Sequence, residues 1–244
     1  MIDVHCHLND EAFDEDREDV VKRAKEKGIT IIDSGTSYEE DLKSLEISGK
    51  YDNVHSTLGF DPLIADVEEA KRIIELLRER KRDVVGVGEV GLDYYEKNKE
   101  KRKVQAEIFE MFIDLSKELK LPLVVHSRWA PKQVLEILEE KGAKSVVLHA
   151  FPGNEKEAKR AIEDGYFISI PTSVLYSKQK QLMAKIVPLK NMVLETDSPI
   201  FWKGRNEPVN VIRAAEEIAR IRGIDLNEVI DWTTRNARKV FKID

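Results

Sequence analysis

Residues 122–151 read PLVVHSRWAPKQVLEILEEKGAKSVVLHAF, and the fold is decided there. Two short Val-rich runs, Pro122–Arg128 and Ser145–Phe151, flank a charged segment with apolar residues every three or four positions. The runs have the length of buried strands and the segment has the period of a helix. A strand, a helix and a strand in that order imply parallel strands joined by a crossover. Each run also closes on a histidine, His126 and His149.

The same unit extends in both directions. Towards the N-terminus lie VVGVGEVGLD from Val84, VHSTLGF from Val54, ITIIDSG from Ile29 and the opening MIDVHCHL. Towards the C-terminus lie YFISIP from Tyr166 and MVLETDSP from Met192. The intervening segments carry helical stripes, one of them Val67, Ala70, Ile73, Ile74 and Leu77. Eight such units in 244 residues predict an α/β fold, a (β/α)8 TIM barrel. A doubly wound sheet would need a glycine-rich phosphate loop after its first strand, and none is visible. Leu226–Phe241 reads as a further helix closing the barrel, and with no linker or composition break residues 1–244 read as a single domain.

Composition narrows the function. Hydrophobic residues make up 41% and charged residues 35%, the balance of a globular protein. No apolar run approaches the roughly 20 residues that span a bilayer. No basic-then-apolar leader opens the chain, so the expected location is the cytoplasm. A single cysteine excludes an internal disulfide. The net charge of −6 argues against a broad basic face for duplex DNA and leaves room for a local phosphate site.

The scarce residues fall at strand ends. His5 and His7 close the first strand, Glu89 the fourth, His126 the fifth, His149 the sixth and Asp197 the eighth. In this barrel those ends form the catalytic face. Of five histidines only His55, at the start of a strand, lies elsewhere, and it reads as structural. Strand parity turns His5 and His7 to one face and Cys6 to the other, where a buried thiol is expected. Four imidazoles and two carboxylates suit two divalent ions sharing a ligand. His5, His7 and Asp197 can hold one, His126 and His149 the other, and Glu89 can bridge. Asp197 then has an oxygen left to orient or deprotonate water. No GxSxG elbow is present, and GVGEVG sits inside a strand, where glycine lets the backbone crowd.

These residues lie within longer strings. DVHCHL, VGEVGLDYY, HSR, HAFPG, LETDSP, KGRNEP and TTRNARKVF, in that order, closely resemble the TatD family of metal-dependent deoxyribonucleases, and nearly end to end. The resemblance gives the same six residues metal-ligand positions. It implies a nuclease acting on DNA, on single strands or 3′ ends, with divalent ions (Mg, Mn or Zn) as cofactors. It also makes Arg128, Arg205 and Asn206 natural phosphate contacts, since a guanidinium forks onto two oxygens. Glu195 shares a face with Asp197, either tuning the acid–base chemistry or standing as a buried hydrogen-bonded carboxylate.

Two positions depart from the family pattern. Asp61, in GFDP, stands where a histidine is usual, and ISIPTS replaces a commoner glycine. A carboxylate at 61 would repel a phosphate, which favours the alternative of a small ester, amide or lactone substrate for the same site. A non-catalytic metal-bound barrel is the third reading, and the full ligand set weighs against it. Nothing points to a membrane or a protein partner.

Overall fold

The structure, a computed structural model, describes residues 1–243. Strands β1 (Ile2–Cys6), β2 (Thr30–Ser34), β3 (Val54–Leu58), β4 (Gly86–Gly91), β5 (Leu123–His126), β6 (Val146–Leu148), β7 (Phe167–Pro171) and β8 (Met192–Glu195) pair in parallel in sequence order. Helices α1 (Arg17–Glu26), α2 (Tyr38–Lys50), α3 (Val67–Glu79), α4 (Lys99–Leu119), α5 (Pro131–Glu140), α6 (Glu155–Glu163), α7 (Lys178–Ile186) and α8 (Val211–Arg222) follow the strands one by one. The result is the (β/α)8 barrel. No described helix is long and apolar enough to cross a membrane.

Local chemistry starts and aims the helices. Asp66 caps α3 by accepting from the amides of Glu68 and Glu69, and Asn154 forms a reciprocal capping box with Glu157 on α6. The α3 stripe of Ala70, Ile73, Ile74 and Leu77 is buried as its spacing predicts, with Leu76 added and Val67 half-exposed. It joins the outer core, to which outward-facing strand residues such as Leu123, Val125, Leu148 and Ile168 also belong.

Inside the barrel the strands carry a second, smaller core: Ile2, Val4, Ile32, Val124, Val147 and Val193. A ninth helix, α9 (Leu226–Phe241), plugs its lower end with Ala237, Val240 and Phe241. The seam between β1 and β8 is closed by side chain as well as backbone. Asp3 accepts from the Thr196 amide at 2.8 Å and hydroxyl at 2.6 Å, while Asp197 N donates to His5 O at 3.0 Å.

Two strands slip register. On β1 the shift lies between Asp3 and Cys6, and on β4 between Val87 and Val90. Beyond the first slip His5 turns inward directly after Val4, and Cys6 turns outward into the helix-facing core. Glycine makes the crowding possible. A β-carbon on Gly91, whose φ is +152°, would sit 2.0 Å from His126 O, and one on Gly59 would sit 2.2 Å from Glu89 O.

Candidate metal centre

Above the inner apolar layer the strand ends deliver six polar side chains to one point. The carboxylate of Glu89 is central. Its Oε2 lies 3.2 Å from His5 Nε2 and 3.6 Å from His7 Nε2, while its Oε1 lies 2.5 Å from His126 Nδ1 and 3.7 Å from His149 Nε2. Asp197 sits opposite, with Oδ1 at 3.7 Å and 3.5 Å from the Nε2 atoms of His5 and His7, and Oδ2 at 3.7 Å from His149 Nε2. Asp197 has φ +54°, a left-handed position that Asp tolerates better than most residues.

These separations fit an ion. Ligand atoms about 2.0–2.2 Å from a tetrahedral centre lie roughly 3.3–3.6 Å apart. The triads His5–His7–Glu89, His5–His149–Asp197 and Glu89–His126–His149 each bring one atom per residue within 4.8 Å of the others. His5 Nε2 is moreover buried with no hydrogen-bond partner, an orphan that a cation would satisfy. The donor set and the orphan fit divalent metal.

A second layer fixes each ring. Ser34 Oγ holds His5 Nδ1 at 3.0 Å and is itself 2.8 Å from Thr57 Oγ1, and Ser34 O accepts from His7 Nδ1 at 2.9 Å. His149 Nδ1 donates to Glu195 Oε2 at 3.1 Å, and the other oxygen of Glu195 accepts from Ala150 N at 2.9 Å. Glu195 is thus a buried carboxylate that orients His149, the arrangement that typically supports a metal-bound imidazole.

The protons follow the charges. Burial pushes His5 below its ordinary value, with His149 adding to the effect. Burial also opposes charge on His7, His126 and His149, but the surrounding carboxylates win, lifting the first two to about 10 and the third to about 9. Glu89 and Asp197 are drawn down against their own burial by the imidazoles, His149 foremost. Both carboxylates are therefore ionised and able to hold cations.

The group opens into a cavity of about 240 Å³ whose wall includes Thr36, Asp61, Asp93, Arg128 and Ile200. A larger cleft of about 470 Å³, lined by the acid-rich segment Asp14–Asp19 and by Glu46, holds none of these groups. Matched against protein families, residues 2–242 fit the profile described as TatD related DNase. The chain belongs to that family. It is 36% identical to deoxyribonuclease TATDN3 of Homo sapiens over 99% of this chain and 94% of that one. It is 35% identical to an uncharacterized metal-dependent hydrolase of Methanocaldococcus jannaschii, over 99% and 96% respectively. Its fold superposes on YJJV, a TatD homologue from Escherichia coli K12, with TM-score 0.93 at 25% identity, covering 100% of this chain and 98% of that one.

Within this TatD barrel the expected phosphate contacts separate. Arg128 stays at the cavity, its Nε donating to Asp93 Oδ2 at 2.7 Å, and its Nη groups have no hydrogen-bond partner among the described residues. Arg205 does not line the cavity. Asp16 binds its guanidinium through two 2.6 Å hydrogen bonds, and Glu207 and the Ala12 carbonyl add to the clamp. Asn206 is fully buried, its amide donating to Thr172 Oγ1, Thr196 O and Ile200 O while its oxygen accepts from Glu207 N and Asn210 Nδ2. Neither side chain lines the cavity: both tie the loop after β8.

Asp93 was missed. It follows β4, and its Oδ2 lies 3.1 Å from His126 Nε2 while it also holds Arg128. The available signal was a carboxylate two residues beyond the strand that carries Glu89. Asp61, half-buried on the cavity wall, accepts from Leu63 N at 2.8 Å, and burial raises its pKa. His55 is remote from the site on β3, and Cys6 is wholly buried, its thiol pushed up by burial.

Proposed function

We propose that this chain is a metal-dependent deoxyribonuclease that hydrolyses phosphodiester bonds of DNA at single strands or 3′ ends. In this reading His5, His7, Glu89, His126, His149 and Asp197 hold two divalent ions with Glu89 between them. The observation that carries it is the division of Glu89: one oxygen faces His5 and His7, the other His126 and His149. Divalent ions at such a centre polarise a phosphoryl oxygen and make water acidic.

The chain's own residues do the rest. Asp197, held ionised by His149, His7 and His5, accepts the proton of the attacking water. Arg128, fixed on Asp93, presents its Nη groups to a phosphoryl oxygen. Glu195 and Ser34 hold the rings so that little reorganisation accompanies the reaction. Four imidazoles favour Zn, whereas the carboxylates and phosphate chemistry suit Mg or Mn.

The test is nucleotide release from short single-stranded DNA by protein stripped of metal and then supplied with Mg²⁺, Mn²⁺ or Zn²⁺. Release that returns with at least one ion is expected; none with any ion would refute the nuclease. A second reading is a hydrolase of a small ester, amide or lactone, favoured by the Asp61 carboxylate on the wall of a 240 Å³ cavity. Turnover of such a compound with DNA left intact would select it.

A further inference from the structure

Seven large apolar side chains are exposed among the described residues, and their placement is uneven. Leu42 and Leu182 lie on helices, while the other five ride on the loops that follow β3, β4, β5, β7 and β8. They therefore ring the face that holds the metal centre. Trp129, directly after Arg128, is the most exposed at 73%, and its backbone has φ +62°. A bulky side chain gains nothing in stability from either condition. Such outliers concentrate where a ligand is gripped.

Its neighbours support it. Tyr95 meets the indole edge-on, with ring centroids 6.3 Å apart and planes at 80°. The Arg128 guanidinium covers the Tyr95 ring at 4.9 Å. Asp93 ties the assembly to the centre, accepting from Tyr95 N at 2.9 Å with one oxygen and holding Arg128 and His126 with the other. Beyond Tyr95 come Lys97 and Lys99, both exposed and neither in an ion pair among the described residues. A flat aromatic face, a cation and a short basic track beside a phosphate site match a nucleotide strand. In a duplex the base faces are already stacked, so the occupant is an unpaired base.

We infer that Trp129, braced by Tyr95 and Arg128, is a stacking platform for one unpaired nucleobase beside the scissile phosphate. It selects single strands over duplex. The inference rests on the nuclease reading above.

Two readouts test it on the metal-loaded protein, Trp129→Phe and Trp129→Ala. The first compares KM for short single strands with the base present or removed beside the scissile bond. The second follows quenching of tryptophan fluorescence by a phosphorothioate oligonucleotide, which reports binding without cleavage. In the parent protein removal of the base should raise KM roughly tenfold, within the range typical of base–aromatic stacking. Trp129→Phe should keep that ratio, and Trp129→Ala should bring it near one and abolish most of the quench. A ratio that survives in Trp129→Ala overturns the platform while cleavage upholds the nuclease. Quenching that needs Trp129 without any cleavage refutes the nuclease and overturns the platform's place beside a scissile phosphate, leaving Trp129 a base contact alone. Neither quenching nor cleavage overturns both.

Discussion

The barrel interior has two layers built by the same strands only a residue or two apart. Below, Val4, Ile32, Val124, Val147 and Val193 meet Phe241 of α9, and every surface is satisfied by packing. Above, His5, His126, His149 and Glu89 crowd together, and buried His5 Nε2 has no partner. The lower layer stabilises the fold by burial. The upper layer concentrates ionised carboxylates and imidazoles whose protons a metal would displace. Stability and chemistry are thus stacked along one axis, and substitutions in the two layers should fail differently.

The largest separation is expected at Asp197. Asp197→Asn keeps the shape and a carbonyl ligand but cannot accept a proton, so kcat at saturating metal should fall by about 10² to 10⁴ with folding intact. Phe241→Ala should do the converse, lowering stability by about 3–5 kcal/mol in denaturant titration while the folded fraction keeps its metal. An effect of Phe241→Ala on metal content as large as on stability would erase the distinction between layers. Next, Glu195→Gln should weaken metal affinity by about 10–100-fold, because His149 loses the charge that orients it. Unchanged affinity would make Glu195 a packing residue.

The pH response should also come from the upper layer. In the metal-free protein His7 and His126 titrate at about 10 and His149 at about 9, above the ordinary value of 6.5. Their protonated forms therefore stabilise the metal-free fold fully below about pH 6.5, and that contribution is lost as pH rises through 9 to 10. Metal must displace the same protons, so affinity should climb across this window and binding at neutral pH should release protons. Calorimetry in buffers of different ionisation enthalpy measures the release; zero protons would contradict the site. The smallest effect is expected at Arg205. Arg205→Ala removes a partly exposed ion pair with Asp16, and stability should change by roughly 1 kcal/mol or less with the oligonucleotide KM near that of the parent.

The strand pattern made the lower layer and the six strand-end groups legible, because period-two alternation and barrel geometry act locally and repeat. His126 and His149 show it best: each follows its inward valine by two residues on an unshifted strand. His5 and Glu89 were found by position alone, since the register slips that turn them inward leave no mark in composition. That Arg205 and Asn206 lie off the cavity wall was not legible for a different reason. Their partners Asp16 and Thr172 come from distant segments, and a short motif does not reveal which carboxylate will reach an arginine first. Asp93 went unseen because a carboxylate in a loop resembles an ordinary turn residue until His126 is placed beside it.

The central claim is that one carboxylate serves two ions. Direct metal analysis of the purified protein and of Glu89→Gln, each checked for folding, tests it without any assumption about substrate. Two ions per chain are expected in the parent and at most one in Glu89→Gln, because the neutral amide removes the charge that faces both imidazole pairs. Two ions retained in Glu89→Gln with kcat unchanged would contradict the shared centre.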